Sequence, residues 1–290
     1  MNIALTGSHG LFGQSVLKLA QDKHHTIVPI EREIIDFKNP QALKKLLNEC
    51  DVLIHAAANT NVEQCEIDSD DCYRDNTLLT EYLSHIAYEC DVKIVYISST
   101  GIYGNYQDSA YSEYDDVKPT THHHRAKRLG EQGVLRYPNS LVLRTGWLFG
   151  GDPENRKNFV ARRIEEALKA DGFIESNNEQ LGCPSYVDVV VRRTLEFISD
   201  DRSGIYNCIN EGTASRFEYV SKIVELANFD VEVRPSSATA FNRKAKVSHN
   251  ETAINLKSLQ CGYESMPHWE ESLGVYITKE LSEWIEKVRV

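Results

Sequence analysis

Three glycines, a pair of hydroxyls and a run of histidines are the residues whose types and spacing suit chemistry. Gly7, Gly10 and Gly13 stand at G-x-x-G-x-x-G spacing in the opening stretch MNIALTGSHGLFG. Asn2 to Thr6 ahead of them is a short, mostly apolar strand pattern. Gln14 to Gln21 behind them reads as a helix, with Val16, Leu17, Leu19 and Ala20 available for burial. A strand that turns sharply into a helix leaves unpaired backbone N–H groups at the positive end of the helix dipole, a ready site for a pyrophosphate. Gly7 allows the tight turn, Gly10 lets backbone approach phosphate, and Gly13 lets helix pack close to strand. The β-rich segment Thr26 to Ile30 then ends in Glu31 and Arg32, about where a group meeting the adenosine ribose is expected. Glu31 would accept from both ribose hydroxyls and favour NAD; Arg32 would meet a 2′-phosphate and favour NADP, and the sequence leaves both open. Asp36 lies near the adenine pocket. Ser99 and Thr100 end the strand KIVYIS (Lys93 to Ser98) and lead into Gly101-Ile102-Tyr103-Gly104. Their position on the same sheet edge as the glycine loop favours catalysis over turn chemistry. His122, His123 and His124 are consecutive, point in different directions on a helix, and cannot all ligate one ion; no metal is expected.

These groups need a scaffold, and the first half of the chain supplies one. Asn39–Pro40 opens a helix through Leu43, Leu46 and Leu47, and Asp51 to His55 is a strand. Ala56, Ala57 and Ala58 follow it, small enough to let a flat cofactor lie against backbone. A long helix is expected from about Asp70 to Cys90. The segment from Thr120 to Tyr137 is a helix capped by Thr120 or Thr121, and Ser140 to Arg144 is a strand. Strands and helices alternating in this way imply a parallel sheet with right-handed crossovers. The expected fold is α/β, a Rossmann-type doubly wound parallel sheet with a smaller C-terminal substrate-binding lobe. Residues 1–150 form the dinucleotide-binding domain, segments near 186–210 return to it, and 151–290 is mainly the lobe. In that second half, helices are read at Phe159 to Ala170, Val187 to Ser199 and Arg216 to Ala227, a strand at Gly204 to Asn207, a loop-like stretch from Phe241 to Ile254, and one or two helices from Trp269 to Lys287.

Composition narrows the function. A net charge of −11 argues against a nucleic-acid partner, which needs clustered Lys and Arg. No apolar run approaches a membrane span, and the N-terminus lacks a signal peptide's basic flank. The seven cysteines are scattered without a C-x-x-C pair, as suits reduced thiols in a cytoplasmic protein.

Taken together, the motifs resemble those of the extended short-chain dehydrogenase/reductases, and most closely the dTDP-4-dehydrorhamnose reductase group. TGSHGLFG resembles the cofactor loop, HAAANTNVEQCE the Asn-Ala-Ala-Ala-x-Thr segment, YISSTGIYG the strand carrying the catalytic Ser or Thr, LRTGWLFG the Leu-Arg-Thr-Ser-Trp motif, and QLGCPSYVD the Gln-x-Gly-x-Pro-Thr segment. The resemblance implies cofactor contacts from Gly7, His9, Gly10, Leu11, Phe12, Gly13, Glu31, Arg32, Asp36, Ala56, Ala57, Ala58, Asn76 and Lys127. It implies that Thr60, Val62, Tyr103, Trp147 and Gln180 line the substrate side, with Trp147 as an apolar platform. The family's Tyr-x-x-x-Lys pair is replaced here by His123 and Lys127, with Pro119, Gly130 and Glu131 keeping the frame. The i, i+4 spacing places both on one helix face. In the family the tyrosine protonates a carbonyl oxygen and the lysine holds the nicotinamide ribose.

The implied activity is NAD(P)H-dependent reduction of a nucleotide-linked 4-keto-6-deoxysugar, in deoxysugar or surface-polysaccharide biosynthesis. Ser99 and Thr100 would orient the carbonyl, and His123 would donate the proton directly or through water. His122 and His124 are expected on the helix surface. The competing readings are a cofactor-binding, non-catalytic relative, similar to the regulatory subunit of methionine adenosyltransferase, and a nucleotide-sugar epimerase or dehydratase. Relatives pair through surface helices, so a homodimer is admitted, although no stretch declares an interface.

Overall fold

The computed structural model describes residues 1–22, 24–237 and 243–289; the first two residues of the loop-like stretch, 241 and 242, lie outside them. The first half runs β1 (Asn2–Thr6), α1 (Leu11–Asp22), β2 (Thr26–Ile30), α2 (Gln41–Leu47), β3 (Val52–His55), α3 (Val62–Ile67), α4 (Ser69–Tyr73), a π-helical turn (Arg74–Leu78), α5 (Leu79–Glu89), β4 (Lys93–Ser99), α6 (His122–Val134) and β5 (Leu141–Thr145). The second half continues with β6 (Trp147–Phe149), α7 (Phe159–Lys169), β7 (Phe173–Asn177), β8 (Leu181–Gly182), β9 (Pro184–Tyr186), α8 (Val187–Ser199), β10 (Gly204–Cys208), β11 (Ala214–Ser215), α9 (Arg216–Leu226), β12 (Glu232–Ser236), α10 (Leu256–Gln260), α11 (Trp269–Val275) and α12 (Ser282–Arg289).

Six strands form one parallel sheet in the order β10-β5-β4-β3-β1-β2. Period-two alternation decides which layer each side chain joins. Ile3, Leu5, Val52, Ile54, Val95, Ile97, Leu141 and Leu143 pack on one face with Phe12 and Val16 of α1 and Val187, Val191 and Leu195 of α8. Ala4, Leu53, Ile94, Tyr96 and Val142 turn to the other face, against Leu43, Leu47, Leu83, Ile86 and Val134 of α2, α5 and α6. The sheet is thus Rossmann-like, covered by helices on both sides. The chain moves outward from β1 to β2 on one side and to β3 on the other, and the β1/β3 junction is the switch point where open α/β sheets bind ligands.

The strand β10 closes the sheet beside β5, as expected for the segment after residue 186. A second apolar core gathers Phe149, Val160, Ile164, Tyr186, Tyr219, Trp269, Leu273 and Tyr276. Over it lie three two-stranded pairs, β11-β8, β12-β7 and β6-β9, which carry no sequence expectation. Strands of two to five residues are too short to show a period. The helix expected from about Asp70 to Cys90 runs without a gap from Ser69 to Glu89, as α4, the π turn and α5, and a separate α3 precedes it. Asp68 starts it by capping α4, accepting from the Asp71 N–H at 3.1 Å.

Candidate active site

The glycine turn has the shape its spacing implies. Gly7 has φ +73°, and a Cβ there would stand 2.7 Å from the Ala57 nitrogen; a Cβ on Gly13 would stand 2.2 Å from the Gly7 carbonyl oxygen. Both positions therefore demand glycine: the first for conformation and for contact with the β3 end, the second for the close approach of α1. The Gly10 N–H closes the turn onto the Gly7 carbonyl at 2.9 Å. Ala56, Ala57 and Ala58 lie half-buried against it. The Phe12 side chain, expected at the cofactor, is instead buried in the sheet core. Leu11 packs beside it, its Cδ1 reaching to where a Cβ on Gly151 would be.

Around the rim, His9 and Glu31 face each other at 3.8 Å, both exposed. Arg32 is directed to Asp75 at 3.3 Å, and Asp36 accepts from the Lys38 N–H at 2.8 Å. The Asn76 amide is turned inward: its Oδ1 accepts from the Asn59 N–H and its Nδ2 donates to the Asn59 carbonyl, both at 3.0 Å. It thereby holds the loop after Ala58 in place. The π turn around Asn76 frees its carbonyl, which accepts from Thr80 Oγ1 at 3.0 Å and Tyr96 Oη at 3.3 Å. His55, at the end of β3, is fully buried between Thr6 Oγ1 at 2.7 Å and Thr80 Oγ1 at 3.0 Å. Burial first, and then the Lys127 charge, push it down to about 3, so its imidazole is neutral.

Helix α6 carries His123 and Lys127 into the molecule. Thr121 caps it, accepting from the His124 N–H at 3.2 Å, and Glu66 Oε1 accepts from the His122 N–H at 2.6 Å. Gly130 lets the helix press onto the sheet, since a Cβ there would lie 2.7 Å from Tyr96 Oη. Lys127 is buried, donates to the Ile97 carbonyl at 2.8 Å and lies 4.6 Å above the Tyr96 ring. Burial lowers its amine to about 8, despite the opposing charge of Glu131. Both ring nitrogens of His123 are buried without a partner. Burial, then His124, then Lys127 drive it well below an ordinary imidazole, so it is neutral near pH 7. Ser99 Oγ accepts from the Gly101 N–H at 3.2 Å, and Thr100 is buried beside it.

Three placements differ from expectation. His124 is buried, its ring lying where a Cβ on Gly101 would stand 2.2 Å from Cε1; the helix N-terminus packs directly on the β4 end and leaves Arg125 as the exposed residue of this turn. His122 is half-buried against Tyr73, ring centroids 5.8 Å apart. Tyr103, expected on the substrate side, is fully buried, stacked on Tyr111 at 4.9 Å, with its hydroxyl donated to Asn207 at 2.8 Å.

The other substrate-side residues gather where β8, β11 and the 250 region meet. Trp147 donates its indole N–H to Glu251 Oε2 at 2.8 Å and packs so tightly on Gly182 that a Cβ there would fall 2.3 Å from its ring. Gln180 is buried, its carbonyl accepting from the Arg216 N–H at 3.1 Å, and the Arg216 guanidinium lies 3.3 Å over the Trp147 ring. Thr60 is exposed and accepts from Lys157 at 3.2 Å, and Val62 opens α3 half-buried. Sequence reasoning missed Arg216 and Glu251. Arg216 follows a two-residue strand and reads as one more charge on an amphipathic helix.

Comparison with known proteins joins these observations. The RmlD substrate binding domain family matches residues 1–282. The chain is 28% identical over 276 residues to a dTDP-4-dehydrorhamnose reductase of Mycolicibacterium smegmatis, covering 93% of this chain and 83% of that protein. The structure of a dTDP-4-dehydrorhamnose reductase from Bacillus anthracis, in complex with NADP, superposes with a TM-score of 0.90 at 26% identity, covering 96% of this chain and 99% of that one. One from Clostridium acetobutylicum does so with a TM-score of 0.89 at 28% identity, with the same coverage. UDP-glucose 4-epimerase from Thermus thermophilus shares the fold alone, at 18% identity and a TM-score of 0.80 over 96% of this chain and 98% of that one. With that family matching nearly the whole chain and two of its reductases superposing on the same fold, the chain belongs to the RmlD substrate binding domain family.

Proposed function

We propose that this protein is a reductase that uses NADPH or NADH on a nucleotide-linked 4-keto-6-deoxysugar. The observation that carries the reading is the buried, partnerless imidazole of His123, one helical turn from Lys127 and stacked edge-on against His124, whose ring packs on Gly101 just after β4. A dinucleotide fits the residues present, because the turn at Gly7 and Gly13 has no room for side chains and three alanines adjoin it. Gly7, Gly10 and Gly13 would hold its diphosphate, Glu31 or Arg32 its adenosine ribose, and Lys127 its nicotinamide ribose. When bound, the cofactor supplies a hydride to the carbonyl carbon.

The remaining work falls to the protein. Ser99 and Thr100 orient the carbonyl oxygen. Neutral His123 donates a hydrogen bond from its ring N–H as charge develops on that oxygen, and the proton is supplied by water, so that the imidazole stays neutral and hydroxide is released to solvent. Such donors contribute ~10²–10⁴-fold to rate. Lys127, positive below about pH 8, adds a field that favours the developing alkoxide. Residues 1–150 with 186–210 serve as the cofactor domain, and the remainder of 151–290 as the substrate lobe. No helix among the described residues is long and apolar enough to cross a membrane, in keeping with a cytoplasmic enzyme, as monomer or homodimer.

The test is to mix the protein with NADPH or NADH and a panel of 4-keto-6-deoxy nucleotide sugars and follow absorbance of the reduced cofactor. Oxidation dependent on the sugar supports the reading. Cofactor binding with no oxidation by any member of the panel would remove it in favour of a non-catalytic protein.

A further inference from the structure

Arg216, half-buried, stands apart from the charges paired in the core. It follows β11 directly, and the pairing of β11 with β8 sets its guanidinium over Trp147, 3.3 Å from the ring centroid. Stacking uses the flat face of a guanidinium and leaves its N–H edge free to donate. Among the described residues, no carboxylate pairs with that edge and no carbonyl accepts from it. The carboxylate of Glu251 is engaged by the Trp147 indole at 2.8 Å. A second guanidinium, Arg163, paired with Glu166 at 2.7 Å, lies 5.2 Å over Phe159, the ring that Arg216 also overlooks at 5.3 Å, and its Nε is buried without a partner. Burial lowers Arg216 to about 10; the Glu251 carboxylate acts against this, and the positive charges of Arg243 and Arg163 act with it. In a chain of net charge −11, Arg216 is thus a guanidinium with no carboxylate paired directly to it, beside the residues expected to line the sugar side.

We propose that Arg216, held on Trp147, is the specificity-determining residue of the substrate pocket and takes an oxyanion of the substrate through its free edge. The planar fork matches a phosphate or a carboxylate equally well. The oxyanion therefore belongs either to the diphosphate of the nucleotide or to a carboxylate on the sugar. The proposal deepens the nucleotide-sugar reading and rests on it. It also changes the part played by Trp147: one face of the indole supports the arginine rather than an apolar sugar face.

The experiment titrates the full-length protein, Arg216→Gln and Arg216→Lys with dTDP, with a neutral dTDP-sugar and with a dTDP-linked sugar acid, by calorimetry, using NADPH as the control. Arg216→Gln is expected to weaken at least one of these ligands tenfold or more while NADPH affinity stays within twofold. Arg216→Lys, which keeps the charge but not the fork, is expected to recover only part of the loss. A loss already present with dTDP assigns the oxyanion to phosphate; a loss confined to the sugar acid assigns it to carboxylate. Equal affinity of wild type and Arg216→Gln for all three ligands would overturn the proposal. Should Arg216→Gln also lose NADPH, Arg216→Lys decides, and undiminished binding of every ligand by it overturns the proposal. A protein that binds dTDP through Arg216 yet reduces no keto-sugar would retire the reductase reading and leave this assignment standing.

Discussion

At the scale of single residues, the chemical question is His123, which the sequence resemblance sets where the family has its tyrosine. Burial, and after it the neighbouring His124 and Lys127, keep His123 neutral, so it acts as a hydrogen-bond donor more than as a store of protons. His123→Phe removes the donor and is expected to lower kcat by roughly 10²–10⁴-fold with little change in NADPH affinity. His123→Tyr restores the family's phenol and is expected to keep or raise the rate; steady-state kinetics on both variants checks this. Lys127 carries the opposite trade. Its amine falls from 10.5 to about 8, so the unfolded chain holds a proton that the folded chain gives up between those values. The cost is fully present below pH 8 and fades as pH rises toward 10.5. About 2.5 units at ~1.4 kcal/mol each is roughly 3 kcal/mol. Lys127→Met is therefore expected to raise stability at pH 7 by roughly 1–3 kcal/mol, less so at pH 10, while activity drops. Urea unfolding at the two pH values reads it.

At the scale of elements, α6 is the part that has to be placed correctly, and a buried ion pair places it. Arg144 at the end of β5 donates to Glu131 of α6 through Nε at 3.0 Å and Nη2 at 2.9 Å, and neither side chain reaches solvent appreciably. Arg144 also lies 4.8 Å over the Tyr103 ring. Removing Arg144 leaves the buried Glu131 carboxylate only Arg128, at 3.0 Å from Oε2, so Arg144→Met is expected to cost up to about 3–5 kcal/mol, and adding Glu131→Leu to recover part of it. Denaturant midpoints of the single and double variants test this. Much of this element was legible in advance. Lys127, Gly130 and Glu131 lie on one face at helical spacing, and Thr121 signals the cap. What could not be read was which polar groups face inward. His124 and Arg144 look like surface and strand-end residues until the sheet edge is folded against them. Arg216 is likewise visible only after two two-residue strands bring it over Trp147.

At the scale of the whole molecule, the alternation of strand and helix gave the six-stranded sheet with its returning β10, because each central strand has an apolar middle and each covering helix carries one apolar face. The small pairs of the second half stayed hidden for want of any period. The same sheet edge sets the response to acid. His55 ties β1, β3 and α5 together as a neutral ring held at about 3, against 6.5 when unfolded. The unfolded state therefore binds the extra proton as pH falls through 6.5, and this part of the stability is lost progressively toward pH 3. His123 and His124 shift in the same direction. The urea midpoint is expected to fall between pH 6.5 and 4.5, and His55→Gln to flatten that slope. A midpoint independent of pH in this range would show that the histidines are not buried neutral.

The most direct measurement follows the hydrogen itself. With NADPH deuterated at the transferable position and a dTDP-linked 4-keto-6-deoxysugar, the account predicts one deuterium at C4 of the product sugar. A product without deuterium at C4, or one labelled only from solvent at the neighbouring carbons, would contradict it.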